Sequence, residues 1–158
     1  MSFAVVQNGA VRQILQMDVA FSVGDKHYSS NFLRTSSAQE KLEAGVWEIV
    51  EGARPDDRFY WVSGPAYRVN EVGSVVEASY SGTAKELDGL KAQFVGQAKS
   101  IAGSILAATD WMVIRKFERG VELPAEVVTE RAQAVADCNA KEAAINAATT
   151  VEELIAAL

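Results

Sequence analysis

The chain has one cysteine, one histidine and three prolines among 158 residues. It contains no apolar run of about 18 residues, the length a membrane-spanning helix needs. With Cys138 alone, no intramolecular disulfide can form. Cys138 and His27 lie far apart, so a structural zinc site of the usual kind is excluded. No GxGxxG, Walker-type loop, GxSxG or HExxH occurs, which removes the common dinucleotide, phosphate, hydrolase and metalloprotease signatures. Asn-x-Ser/Thr acceptors are absent as well. The opening MSFAVVQNGA has no basic segment followed by a long apolar one, so no signal peptide is expected. There is no basic excess either. The net charge is −6 and the pI about 4.8, which argues against a nucleic-acid binder. The deficit is shared: 7 Lys/Arg face 10 Asp/Glu up to residue 82, and 8 face 11 beyond it, so neither half is a charged tail.

Apolar residues make up 49% and charged residues 23%, an ordinary globular balance. The length allows one domain, or a small domain with a helical appendage. Two patterns divide the chain. Residues 1–82 read as β-rich. An apolar run at residues 3–6 meets Asn8-Gly9, a type I′ turn signal, and returns at 11–15. Residues 19–23 are β-branched and aromatic, and Gly24-Asp25 turns them back through His27 and Tyr28. Ser36 with Gln39, or Ser37 with Glu40, offers a capping box for a short helix that Gly45 ends. Residues 46–50 alternate as a strand. Residues 59–62, FYWV, form an aromatic strand that Ser63-Gly64-Pro65 should break, and 67–69 and 75–80 follow as further strands. A mostly antiparallel sheet is expected, because parallel crossovers need longer connecting helices.

Residues 83–158 read as helical. Thr83 and Glu86 form a second capping box. Leu87, Leu90, Phe94, Ala98, Ile101 and Ile105 then step by three or four, an a/d-like stripe. Gly89, Gly96 and Gly103 fall seven apart, which suggests close approach of another helix or subunit. Thr109-Asp110 either interrupts this helix and caps a new one, or lies within an unbroken helix to Arg119. Trp111, Ile114 and Phe117 share a stripe, Gly120 supplies a helix end, and Pro124 opens a returning helix. Val128, Arg131, Val135, Cys138 and Ile145 are its expected packed positions. Thr150 and Glu153 make a third capping box before a short amphipathic tail. The fold class expected is α+β: a small, mostly antiparallel β domain (1–82), then a helical hairpin or bundle (83–158).

Each candidate for chemistry has a plainer reading. Asp56-Asp57 beside Arg54 and Arg58 reads as a solvated, self-paired turn rather than a metal or acid–base site. His27 has no nucleophile motif beside it. Arg115, Lys116 and Arg119 suit an acidic partner, but cations also favour a helix C-terminus. Tyr60 and Trp61 offer aromatic faces for a sugar ring, though such strands more often serve a core or an interface. No catalytic residue, metal ligand or cofactor is assigned, and the chain is not expected to be an enzyme.

Residues 104–120, SILAATDWMVIRKFERG, together with Leu123-Pro124-Ala125-Glu126 and Arg131, resemble the C-terminal segments of tailed-bacteriophage tail-fibre and tail-assembly-type proteins. Those carry a TDW element, a basic helix, a Gly turn, a Pro-initiated helix and an Ala-rich stretch. Residues 36–50 and 54–62 resemble the N-terminal regions of the same family. The likeness covers most of the chain and brings no enzymatic residues. It implies a virion structural protein of the tail, a fibre, adaptor or tail-tip component, built in the host cytoplasm. It implies other tail proteins as partners and a homo-oligomer, with no nucleic acid and no membrane insertion. A tail-fibre assembly chaperone absent from the mature virion is the alternative, and a carbohydrate-binding module a further one. Leu90, Phe94, Ile101, Trp111 and Phe117 are the expected interface residues.

Overall fold

The computed structural model describes residues 2–158. The fold is α+β, with a sheet unit followed by helices. The chain divides into two compact units, Met1–Thr83 and Ala84–Leu158.

In the first unit, β1 (Ser2–Gln7) and β2 (Ala10–Leu15) form an antiparallel hairpin. Asn8 and Gly9 turn it with φ of 53° and 69°, the positive values a type I′ turn demands. β3 (Phe21–Val23) and β4 (Lys26–Tyr28) form a separate two-stranded sheet. Two short helices follow, α1 (Phe32–Thr35) and α2 (Ala38–Glu43). Then come β5 (Val46–Glu51), β6 (Tyr60–Asn70) and β7 (Val75–Ala84). The five-stranded sheet runs β2-β1-β5-β7-β6.

β1 organises this unit because both of its faces are buried. Phe3 and Val5 pack with Leu15, Phe21, Leu33, Ala44 and Val46. Ala4 and Val6 turn the other way, to Ile49, Val76 and Ala78. A strand covered on both sides reads as a continuous apolar run rather than an alternating one, and FAVV at residues 3–6 does so. The outer strands β2 and β6 also approach each other, so the sheet is rolled. The small side chains of Ala4 and Ala78 suit the inside of that roll. The other face is closed by packed rings: Phe21 and Tyr28 stack 5.1 Å apart, and Phe32 tilts against Tyr28 at 4.6 Å.

Three local expectations change. β5 and β7 pair in parallel, although no long helix joins them, because β6 itself provides the crossover. Ser63-Gly64-Pro65 does not end a strand. β6 runs through it with Gly64 at φ 111°, and proline is tolerated because β6 is an edge strand. The box at Thr83 and Glu86 does not form either: β7 continues to Ala84 and the next helix starts later. Between the two registers offered near Ser36, the capping box is Ser37 with Glu40. Gly45, at φ 74°, ends that helix. Its carbonyl accepts from the Val6 N–H at 2.8 Å, so the stop also lays β5 beside β1.

The second unit contains α3 (Leu87–Ala107), α4 (Asp110–Arg119), α5 (Ala125–Ala147) and α6 (Val151–Ala156). Glu86 caps α3, accepting from the N–H groups of Asp88 and Gly89. α3 and α5 lie antiparallel, as three cross-links require. Lys91 Nζ donates to the Asn146 carbonyl at 3.1 Å, Lys99 Nζ to Glu142 at 2.8 Å, and Arg131 to the Leu106 carbonyl at 2.7 Å. The α5 seam is Val127, Arg131, Ala134, Cys138, Lys141, Ile145 and Ala148, a regular four–three repeat buried or half-buried throughout. It sits one residue earlier than Val128 and Val135, which are both exposed. On α3 the seam runs through Leu90, Phe94, Ala98 and Ala102. Alanines at 102 and 134 let the helices approach closely.

α6 caps itself. Thr150 Oγ1 accepts from the Glu153 N–H, and Glu153 reaches back to the N–H and hydroxyl of Thr149. Those bonds hold the Glu153 carboxyl below its ordinary range. Val151 and Leu154 are thereby fixed in buried positions.

Replacing fully buried Ile145 by alanine should cost about 2–5 kcal/mol in denaturant unfolding, whereas Val128→Ala should change stability by less than about 0.5 kcal/mol. A lowered carboxyl pKa in the folded state stabilises above the ordinary carboxylate range and loses that contribution as pH falls through the folded value. Amide exchange in α6 should therefore accelerate in acid before that of α5 does. Glu153→Gln should remove most of this pH dependence.

Candidate assembly surface

The junction between α3 and α4 is the most specific constellation in the chain. α3 ends at Ala107 and α4 starts at Asp110, so of the two expectations the broken helix is correct. Thr109 is the N-cap residue but makes no side-chain cap bond to α4. Its hydroxyl donates instead to the Leu106 carbonyl at 3.2 Å. Arg131, on the facing turn of α5, closes the arrangement. Its Nη1 donates to the Leu106 carbonyl and to Thr109 Oγ1, both at 2.7 Å. Its Nη2 pairs with Asp110 Oδ1 at 2.9 Å. One guanidinium thus satisfies a carbonyl at the end of α3, holds the break, and engages the first residue of α4. The planar fork of arginine suits this, and a lysine could not reproduce it. Asp110 also sits where the α4 dipole favours negative charge.

What this junction holds out is unusual. α4 has no buried residue. Trp111 is 53% exposed, Ile114 57% and Phe117 93%. Val113 and, just past the helix, Val121 are exposed too. Only Met112 is half-buried. Gly120 ends α4 at φ 69° with its N–H on the Lys116 carbonyl. A shallow depression of about 410 Å³ lies on this helix, lined by Trp111, Ile114, Arg115, Glu118 and Arg119.

The expected interface residues therefore separate. Trp111, Phe117 and Ile101 lie on the surface, Ile101 at 65% exposure. Leu90 and Phe94 do not: they are 4% and 7% exposed and belong to the core of their own unit. The reason is geometric. The seam steps on by four to Ala102 instead of by three to Ile101, which leaves Ile101 and Ile105 outside. The glycines at 96 and 103 face open space, with no atom within 4 Å of an added Cβ, so they mark no helix contact inside the chain.

The aromatic pair divides as well. Tyr60 is half-buried and Trp61 is 67% exposed. Adjacent strand residues point to opposite faces, so the two rings cannot form one platform. Arg54 bonds Asp57 at 2.7 Å and Arg58 bonds Asp56 at 2.7 Å, which makes the Asp-Asp turn self-paired. The Asp56 contact raises the Arg58 pKa. Among the described residues no group of three or more His, Cys, Asp or Glu could hold a metal. The His27 ring shares a 2.6 Å hydrogen bond with Ser22 across β3 and β4, in the open. Tyr80 donates to Glu51 at 2.7 Å, and that bond raises its pKa. Lys116 pairs with Glu122 at 2.5 Å.

No family model, curated protein or solved structure matches the chain. No helix among the described residues is long and apolar enough to cross a membrane. The Arg131 clamp was only half visible in the sequence. Thr109-Asp110 signalled a break and Arg131 a packed position, but nothing local links residues more than twenty apart.

Arg131→Gln should speed amide exchange throughout α4 by at least about tenfold, while the Leu90–Phe94 turn of α3 keeps its protection. Losing the clamp removes two hydrogen bonds and an ion pair that tie the α3–α4 junction to α5, at a cost of about 1–3 kcal/mol. Arg131→Lys should recover little of it. Equal exchange in α4 of wild type and Arg131→Gln would show that the clamp does not hold the helix.

Proposed function

We propose that this chain is a structural component of a phage tail that acts by protein–protein assembly and remains in the virion. The observation that carries the assembly part is α4: a ten-residue helix with its large apolar side chains in solvent. So short a helix is marginal by itself in water, and a contiguous exposed apolar surface marks a contact site. The placement in a tail rests on the resemblance of residues 36–50 and 54–62, and of 104–120 with 123–126 and Arg131, to tail-fibre and tail-assembly-type proteins. Clamp and apolar helix both fall inside the last of these stretches. Partners are then other tail proteins and further copies of the chain. A fibre-assembly chaperone would use the same surface and leave before the particle is finished. The carbohydrate-binding reading is weaker, since it retains Trp61 alone.

Mass spectrometry of purified particles from the phage that encodes this chain separates the first two readings. A virion component appears at a fixed copy ratio to the other tail proteins. Absence from particles, with presence in infected-cell lysate, would replace the structural reading with the chaperone one.

A further inference from the structure

We propose that α4 docks against α4 of a second copy of this chain, antiparallel and about a two-fold axis. This rests on the assembly reading above and specifies its contact. Two observations favour a second copy over an unrelated partner.

The first is charge. Arg115, Glu118 and Arg119 line the depression beside Trp111 and Ile114. Among the described residues none of the three has an ion pair or side-chain hydrogen bond, whereas the neighbouring Lys116 and Asp110 are both paired. On a helical projection Glu118 falls between Trp111 and Ile114, with the two arginines along one side. Covering that face with an apolar partner would bury an unpaired carboxylate, which is strongly unfavourable. A second copy brings what is missing. In a two-fold contact, residue i meets j while j meets i, so Glu118 of each copy meets the arginines of the other. Antiparallel alignment also opposes the two helix dipoles favourably.

The second is the apolar stripe beside those charges, which a two-fold contact covers on both copies at once. Trp111, Ile114 and Phe117 supply the large, rigid apolar anchors such a contact needs.

The test uses the full chain and its exposed charges, so folding is not at stake; circular dichroism verifies that. Two variants are made, Glu118→Arg and the double variant Arg115→Glu/Arg119→Glu. Light scattering and native mass spectrometry give the mass of each alone and of the two mixed. The wild type should be dimeric at micromolar concentration. Each variant alone should dimerise at least about tenfold more weakly, because like charges then meet across the axis. The mixture should form a heterodimer, since one variant presents three cations where the other presents three anions. Phe117→Ser should weaken the wild-type dimer. A monomeric wild type, or a dimer indifferent to all these changes, would overturn the proposal. So would a mixture that fails to pair. If the monomeric protein is still found in particles, the two-fold contact fails while the tail reading stands.

Discussion

The second unit depends on one side chain reaching across a helical hairpin. Arg131 accounts for the turn of chain direction between α3 and α4, and it does so by filling three needs together. The end of α3 leaves carbonyls without i+4 partners, and the guanidinium joins the Thr109 N–H and hydroxyl on the Leu106 carbonyl. The break needs a fixed point, and the Thr109 hydroxyl is held from both sides. The start of α4 carries Asp110, and its charge is matched. Each contact alone is modest. Together they fix a ten-residue helix that buries none of its own side chains and would otherwise fray.

Such a helix is informative because the other long helices of the chain each bury an apolar face. β1 is buried on both faces, and the five-stranded sheet rolls until its outer strands approach. α5 keeps a regular four–three seam from Val127 to Ala148. A chain able to do this has no general shortage of packing. Exposed apolar residues occur along the whole chain, among them Val19, Val50, Trp61 and Val72, but on α4 Trp111, Ile114 and Phe117 share one helical stripe. Grouping on one clamped element is what favours reading α4 as a contact surface over the ordinary apolar exposure of any protein.

Much of this architecture was legible because local chemistry wrote it. Asn8-Gly9, Gly24-Asp25, Ser37 with Glu40, Gly45, Gly120 and Thr150 all act at or near the places their side chains and φ preferences assign them. The misreadings came where two residues give the same local signal and only the tertiary partner chooses. Val127 and Val128 are equally apolar, and the seam takes the first. Ile101 is the stronger hydrophobe, yet Ala102 is buried, because close helix approach rewards a small side chain over a large one. Thr83 and Glu86 spell a capping box, but pairing with β6 carries β7 through it, and Glu86 then caps the helix alone. Gly64-Pro65 reads as a strand end and becomes a kink, since only the sheet order reveals that β6 lies on an edge. The candidate contact residues divided for the same reason. Leu90 and Phe117 look alike as periodic apolar positions, and periodicity does not say whether the cover comes from the same chain.

Net charge raises an apparent objection to two copies meeting at α4. Each chain carries −6, and like-charged bodies repel. The deficit is distributed evenly along the chain, however, while α4 and its flank hold Arg115, Lys116 and Arg119. At physiological salt, exposed charges act over only about 8 Å. Two copies approaching through this helix thus meet the local arginines and glutamates before they feel most of the remaining charge. Acidic charge elsewhere keeps an exposed Trp111 and Phe117 from associating indiscriminately. In the proposed contact the charge balance would select the face that pairs, leaving strength to the apolar anchors and orientation to Glu118.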